Sequence, residues 1–346
     1  MSDSTEAMTS VRERSPLQTN MVKIAAIVPC YKTKAQILSV LNGIGPECWR
    51  IYVIDDKCPE GTGEHVEANV SDPRVTVIYN AENIGVGGAV IEGYKKAIAD
   101  GATILVKIDG DGQMDPKLIK QFAQPIIEGH ADYTKGNRFY DLDSITKMPG
   151  IRILGNAVLS FMTKLSSGYW DLFDPTNGYT AIHASVVAML PLEKISRRYF
   201  FESDILFRLN TIRAVVVDIP MRPVYGSEVS NLDIQKAMLE FLKKHAANTF
   251  KRIFYNYYLR NFSLASIELF VGVVSITFGT IFGAISWAES SATGNEASAG
   301  TVMLAALPIM LGIQFVIAFF SYDIGAIPRY PISKKCISIA DNDARS

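Results

Sequence analysis

Between Lys23 and Gly129 short apolar runs alternate with stretches of helical spacing. "KIAAIVPCY" is a continuous apolar run broken at Pro29, the pattern of a strand buried on both faces. "KAQILSVLNGI" repeats its apolar positions at Ile37, Leu38, Leu41 and Ile44, as a helix does. "RIYVIDD", "RVTVIYN" and "TILVKID" predict three further strands. "GAVIEGYKKAIADG" and "PKLIKQFAQPIIEG" predict helices, the first stopped by Gly101 and the second opened by a proline. This alternation predicts an α/β domain with a mostly parallel sheet and helices on both faces.

The pattern changes after Asn231. "LDIQKAMLEFLKKHAANTFKRIFYNYYLRNF" carries an apolar row at Met238, Leu242, Ala246, Phe250, Ile253 and Tyr257, with lysines and arginines elsewhere. A basic amphipathic helix rich in tyrosine suits an anionic membrane surface. Two uncharged segments follow, Leu269–Trp287 and Thr301–Tyr322. Each has about the ~20 residues needed to cross a bilayer core. Arg252 and Arg260 precede the first, Arg329, Lys334 and Lys335 follow the second, and the linker between them carries only acidic charge. The positive-inside bias therefore puts both flanks in the cytosol and the linker outside. Gly279 and Gly283 form a small-xxx-small pair able to mark a helix–helix contact.

Composition narrows the classes. The 346 residues carry a net charge of −1, which offers no basic field for a nucleic-acid partner. The first twenty residues are polar and lack an apolar signal core, and they read as disordered. Cys30, Cys48 and Cys58 read as cytosolic thiols, and Cys336, just beyond an apolar segment, is a candidate for palmitoylation. The four histidines are scattered without zinc-ligand spacing.

In parallel sheets, ligands bind beyond the carboxyl ends of the strands. The chemistry there is concentrated in "DGDGQMDP". Asp109 and Asp111, with Gln113 two residues on, present hard oxygen donors suited to Mg2+ or Mn2+, while Gly110 and Gly112 leave room for phosphate oxygens. "NIGVGGA" places Gly85, Gly87 and Gly88 at a helix start, where a diphosphate or sugar could approach the backbone. A tight strand-to-helix turn explains the same glycines equally well. The spacing is not that of a dinucleotide fingerprint.

"IVPCY", "VIDD", "NIGVGGA", "DGDGQ", "KGNRF", "DPTNGYTAIH" and "FESD" occur in the order found in inverting family 2 glycosyltransferases of the GT-A fold. The chain most resembles the polyprenyl-phosphate glycosyltransferases, of the dolichol-phosphate mannose synthase kind and their bacterial two-helix relatives, over about residues 22 to 332. "FFSYDIGAIPRYP" at the end of the second span resembles the bacterial group as well. The resemblance implies that Pro29, Tyr31 and Asp55 line the nucleotide base pocket. It implies that Asp109, Asp111 and Gln113 hold a divalent metal on the diphosphate, with Asp109 also near the ribose. Arg138 and Arg152 would meet the acceptor phosphate, Glu202 and Asp204 would be the acidic acceptor-side residues, and Arg222 and Ser230 would belong to a loop closing over the nucleotide. The sequence departs from the family pattern at Lys32-Thr33, at "DDKCPEGT" and at Ser230-Asn231, where the family carries Asn-Glu, "DDGS" and serine-lysine.

The expected organisation is a tail at 1–21, a GT-A catalytic domain at 22–230, amphipathic juxtamembrane helices at 231–262, and two membrane helices at 263–324 around a linker at 288–300, with a cytosolic tail at 325–346. The expected partners are a UDP- or GDP-sugar, a polyprenyl phosphate and the cell (inner) membrane, with both termini cytosolic, no nucleic acid, and a homo-oligomer left open. Three alternatives compete. A family 2 enzyme acting on a sugar hydroxyl would need a true base at Asp204. A processive synthase would carry a QxxRW motif, which no tryptophan here supports. A scaffold with a degenerate sugar-nucleotide domain would not need Asp109, Asp111 and Gln113 intact.

Overall fold

The computed structural model describes residues 22–140, 150–222 and 234–334. The amino-terminal tail, Ser230, Lys335 and Cys336 lie outside the described residues, as does the side chain of Arg152.

The four expected strands are present as β1 (Ile24–Cys30), β2 (Cys48–Asp55), β3 (Val75–Tyr79) and β4 (Ile104–Lys107), all mutually parallel. Three shorter strands complete a seven-stranded sheet: β5 (Tyr133–Asn137), β6 (Thr180–His183) and β7 (Val216–Pro220). The order is β3-β2-β1-β4-β6-β5-β7, and β6 alone runs antiparallel to its neighbours. This is the mostly parallel, doubly covered sheet that the alternation predicts.

Helices α1 (Ile37–Gly43), α2 (Thr62–Asn69) and α4 (Ile119–Ile127) cover one face, over a core that includes Val28, Val53, Val66, Val106 and Phe122. Helices α3 (Val86–Ala99), α6 (Ala184–Ala188) and α7 (Phe201–Thr211) cover the other, over Ile27, Ile54, Tyr94, Leu105 and Leu206. Gly101 ends α3 at φ +92, a backbone conformation open to glycine at little cost, while Ala102 donates to the Ala97 carbonyl.

Two long helices follow α5 (Gly150–Ser167) and α8 (Ile234–Ile253). They are α9 (Leu264–Thr293) and α10 (Ala299–Gly325), which pair as a hairpin. Both are long and apolar enough to cross a membrane, and only 11% of each most apolar window is buried. They extend past the expected uncharged spans because Ser263 and Ser266 form a capping box at the start of α9 and Ser298 caps α10, so helix continues through the polar flanks. The small-residue contact lies inside the hairpin: a side chain at Gly279 would strike the Ala305 carbonyl, and one at Gly312 would strike that of Gly272.

Helix α8 is inverted relative to an ordinary surface helix. His245, Asn248 and Arg252 are buried, continuing to Asn256 on the π-helical turn Phe254–Arg260, whereas Leu242, Phe250 and Phe254 are exposed. The expected apolar row is thus outward at Leu242, Ala246 and Phe250, while Tyr257 turns inward. Helix α5 packs against α8 and leaves its own row, Leu154, Val158 and Phe161, uncovered. After α10 the chain returns to the sheet domain, where the amides of Ile332 and Ser333 donate to Asp132 at 2.9 and 2.8 Å. Both ends of the hairpin therefore lie on the side of the α/β domain.

Candidate active site

The loops at the carboxyl ends of β1, β2 and β4 converge. Pro29 is buried in β1, and Tyr31, the second residue beyond it, is 44% exposed at the rim. Asp55 and Asp56 end β2 and are almost fully buried. Asp55 accepts from the amides of Cys58 and Gly63 at 2.6 and 2.7 Å, which ties the "DDKCPEGT" loop onto its own strand. Asp56 accepts from Asn80 and from the amides of Ile84 and Gly85 at 2.9, 3.0 and 2.8 Å. Both carboxylates thereby organise the loops that frame the strand ends.

The glycine run has a packing reason. A side chain at Gly85, which has φ +85, would strike the Arg197 carbonyl at 2.6 Å, and one at Gly87 would strike Phe201. The Gly88 amide donates to the same Arg197 carbonyl at 3.0 Å. Protein groups thus take the Gly85 and Gly88 amides, as a tight strand-to-helix turn requires.

Asp109, Asp111 and Gln113 follow β4 directly and are all partly exposed. Asp111 accepts from the Gln113 amide at 2.9 Å, which curls the turn back on itself. Gly110 lets the segment between β1 and α1 approach: a side chain there would meet Ile37 at 3.0 Å and the Thr33 hydroxyl at 3.3 Å. The Thr33 hydroxyl is buried without a hydrogen-bond partner.

Behind this turn lies a buried charge cluster. The Lys107 ammonium, 1% exposed at the end of β4, lies 2.8 Å from Asp109 and 3.3 Å from Glu202, and donates to the Gly178 carbonyl at 3.0 Å. Burial works against its charge, but the carboxylates of Asp109 and Glu202 hold it above the ordinary lysine range. Gly178 allows the contact, since a side chain there would fall 2.5 Å from the Lys107 ammonium and 2.6 Å from Asp109. Lys135, on β5, is also fully buried and donates to the Asn177 carbonyl. Burial brings its pKa down to about 8, with Glu202 opposing. Nearby, burial raises Asp218 to about 6.

The two acidic residues of "FESD" part company. Glu202 faces Lys107, whereas Asp204, two residues further along α7, turns to another side of the helix. Asp204 is 4% exposed and accepts from the Ser196 amide at 2.8 Å, Asn248 at 2.9 Å and Arg208 at 3.3 Å. It holds α8 against α7. Arg138, directly after β5, grips the buried Asp174 through Nε at 2.8 Å and Nη2 at 3.0 Å, and 36% of its side chain is exposed. Arg222, just beyond β7, is exposed.

Lys107, Lys135, Asp174 and Gly178 were not singled out in the sequence. The available signal was a lysine inside the apolar strand "TILVKI", where an unpaired charge would be costly; the polar run "ADYTKGN" offered none.

The donor set after β4 is carboxylate, carboxylate and amide, all hard oxygen, which fits a divalent cation of the magnesium or manganese kind. Among the described residues no three acidic, histidine or cysteine side chains gather into a closed cage. Such a cation would thus take few protein ligands and complete its shell from substrate oxygens.

Residues 25–189 match the family described as glycosyl transferase family 2. A UDP-N-acetylglucosamine--dolichyl-phosphate N-acetylglucosaminyltransferase of Methanococcus voltae is 30% identical over 216 residues, covering 58% of this chain and 86% of that protein. An undecaprenyl-phosphate mannosyltransferase of Micrococcus luteus is 27% identical over 205 residues, covering 58% and 83%. A crystal structure of glucosyl-3-phosphoglycerate synthase from Mycobacterium tuberculosis superposes with a TM-score of 0.49 at 18% identity, covering 67% of this chain and 80% of that one.

Proposed function

We propose, from the premise that this chain is a member of glycosyl transferase family 2, that it moves a sugar from a nucleotide-diphosphate sugar to a polyprenyl phosphate at the cytosolic membrane face. The observation that carries the acceptor assignment is the state of the acidic residues. A hydroxyl acceptor needs a base, yet Asp204 is buried under three donors and Glu202 is paired with Lys107. A phosphate monoester arrives with its nucleophilic oxygen already anionic and needs no such base. The names of both relatives above include a polyprenyl or dolichyl phosphate, which supports the same reading.

The donor is a UDP- or GDP-sugar. Pro29, Tyr31 and Asp55 would frame its base, with Arg222 and Ser230 on the loop that closes over it. Asp109, Asp111 and Gln113 would hold Mg2+ or Mn2+ against the diphosphate, and the cation would stabilise the negative charge that the leaving group gains. Lys107 fixes Asp109 at one edge of this site and Glu202 at the other, so the acidic groups are set before substrate enters. The acceptor oxygen attacks the anomeric carbon, and the bond from that carbon to the diphosphate breaks with inversion. Two anions must approach for this to occur. Arg138, its guanidinium plane set by Asp174, and Arg152 on α5 are the cations assigned to that approach.

The apolar rows of α5 and α8 and the α9–α10 hairpin support a site held at the headgroup level, where a lipid phosphate resides. Ile332 and Ser333, bound to Asp132, keep the chain after α10 beside the α/β domain, and the basic flanks support a cytosolic side for both. The test is a screen of radiolabelled UDP- and GDP-sugars with full-length protein, polyprenyl phosphate and Mn2+, followed by lipid extraction. Label in the lipid phase from one donor is expected. Label that passes only to a saccharide hydroxyl would favour the competing acceptor.

A further inference from the structure

A polar cavity of about 150 Å³ lies where the membrane hairpin joins the α/β domain. Its walls include Arg213 beyond α7, Arg252, Asn256 and Arg260 ahead of α9, and Tyr322 and Asp323 near the end of α10. Three guanidinium groups therefore meet a single carboxylate. That carboxylate is committed: Asp323 accepts from Arg252 at 2.6 and 2.9 Å, from the Tyr257 hydroxyl at 2.6 Å and from the Trp170 indole at 2.9 Å. Arg213 and Arg260 form no salt bridge among the described residues. Asn256 is 9% exposed, and its amide nitrogen donates to Asn210, but its amide oxygen is buried without a hydrogen-bond partner.

The cavity is separate from the reacting centre. Asn210 on its wall and Glu202 in the candidate active site stand eight residues apart on α7, about 12 Å along the helix. Two cations without carboxylate partners and a buried acceptor lacking a donor define a ligand with complementary groups: an anionic phosphate beside a hydroxyl. The cavity abuts the π-helical turn that leads into α9 and the last turn of α10, the level at which a bilayer presents its headgroups.

We propose that this cavity binds the headgroup of an anionic phospholipid, with Arg213 and Arg260 on the phosphate and the Asn256 oxygen accepting from a headgroup hydroxyl. The placement rests on the membrane reading above, but the binding is read without turnover, so either can fail alone. Occupancy would tie α7, the π-helical turn and α10 together through a lipid.

The test uses full-length protein in a neutral detergent, titrated with short-chain phosphatidylglycerol and followed by native mass spectrometry. Trp170 fluorescence is a second readout, since its indole is bound to Asp323 on the cavity wall. The Arg213→Gln, Arg260→Gln double variant should bind at least about tenfold more weakly, the loss of one charge-assisted contact or more, with donor-nucleotide affinity unchanged. Phosphatidylcholine and millimolar inorganic phosphate should not displace the lipid. Unchanged affinity in the double variant overturns the proposal. Displacement by inorganic phosphate reassigns the site to a free anion, and displacement by an equal amount of polyprenyl phosphate reassigns it to the acceptor, so either result also overturns it. If the double variant does not fold, Arg260→Gln alone, at an exposed position, carries the comparison.

Discussion

Replacing Lys107 by methionine would keep most of the side-chain volume and remove the charge. The ammonium is 1% exposed and serves Asp109 at 2.8 Å, Glu202 at 3.3 Å and the Gly178 carbonyl at 3.0 Å. Removing one partner of a buried ion pair costs about 3–5 kcal/mol, because the other charge is left uncompensated. Asp109 is 26% exposed and Glu202 12%, so water recovers part of that cost and the low end, about 3 kcal/mol, applies. For a domain of this size that is roughly 6–12 °C in the melting midpoint. The measurement is thermal unfolding of the full chain in detergent, without and with Mn2+ and a nucleoside diphosphate. The midpoint should fall in the absence of metal and recover in part when a divalent cation supplies positive charge at Asp109. A variant that melts within a degree or so of the parent would mean that Lys107 does not neutralise these carboxylates, and the electrostatic account of the site would fail.

Further outcomes follow from the same geometry. Burial depresses Lys135 to about 8 from 10.5, so the unfolded chain binds the extra proton between those values and stability contributed by this site rises with pH across the window. The parent should therefore gain roughly 3 kcal/mol of stability relative to Lys135→Met as pH rises from 7 to above 10.5; a difference independent of pH would contradict this. Gly178→Ala should cost about 1–3 kcal/mol by crowding the Lys107 ammonium and Asp109, read by denaturant unfolding, and should raise the Mn2+ concentration needed for half-maximal turnover. Asp323→Asn should cost about 3–5 kcal/mol by stranding the buried Arg252 and should shift Trp170 emission; unchanged stability would show that this pair does not hold the hairpin to the domain.

The first half of the sheet was legible because β1 to β4 are apolar runs separated by helical spacing. β5, β6 and β7 were not, for a physical reason. They are four or five residues long and carry Thr134, Lys135, Thr180 and Asp218, polar side chains that the fold buries wholly or in part and that blur the apolar signal. The strand-end carboxylates were legible from position alone. The separation of Glu202 from Asp204 was not, because it depends on which face of α7 meets α8, and that is a tertiary fact. The outward apolar row of α8 could be read from spacing. Its counterpart, the buried row of His245, Asn248, Arg252 and Asn256, could not, since polar residues ordinarily face water and these are held by Ser166, Asp204, Asp323 and Asn210. Departures at Lys32 and Thr33 also gain meaning from the fold: Lys32 lies at φ +58, and Thr33 faces Gly110 in the turn after β4.

The most direct test of the proposed chemistry is to weigh both products of one turnover. Purified full-length protein, polyprenyl phosphate, Mn2+ and the donor identified by screening should yield a lipid carrying one sugar and one phosphate, with an equal amount of nucleoside diphosphate. Nucleoside monophosphate beside a lipid bearing two phosphates, or a sugar joined to a saccharide hydroxyl with the lipid phosphate untouched, would contradict transfer to a lipid phosphate.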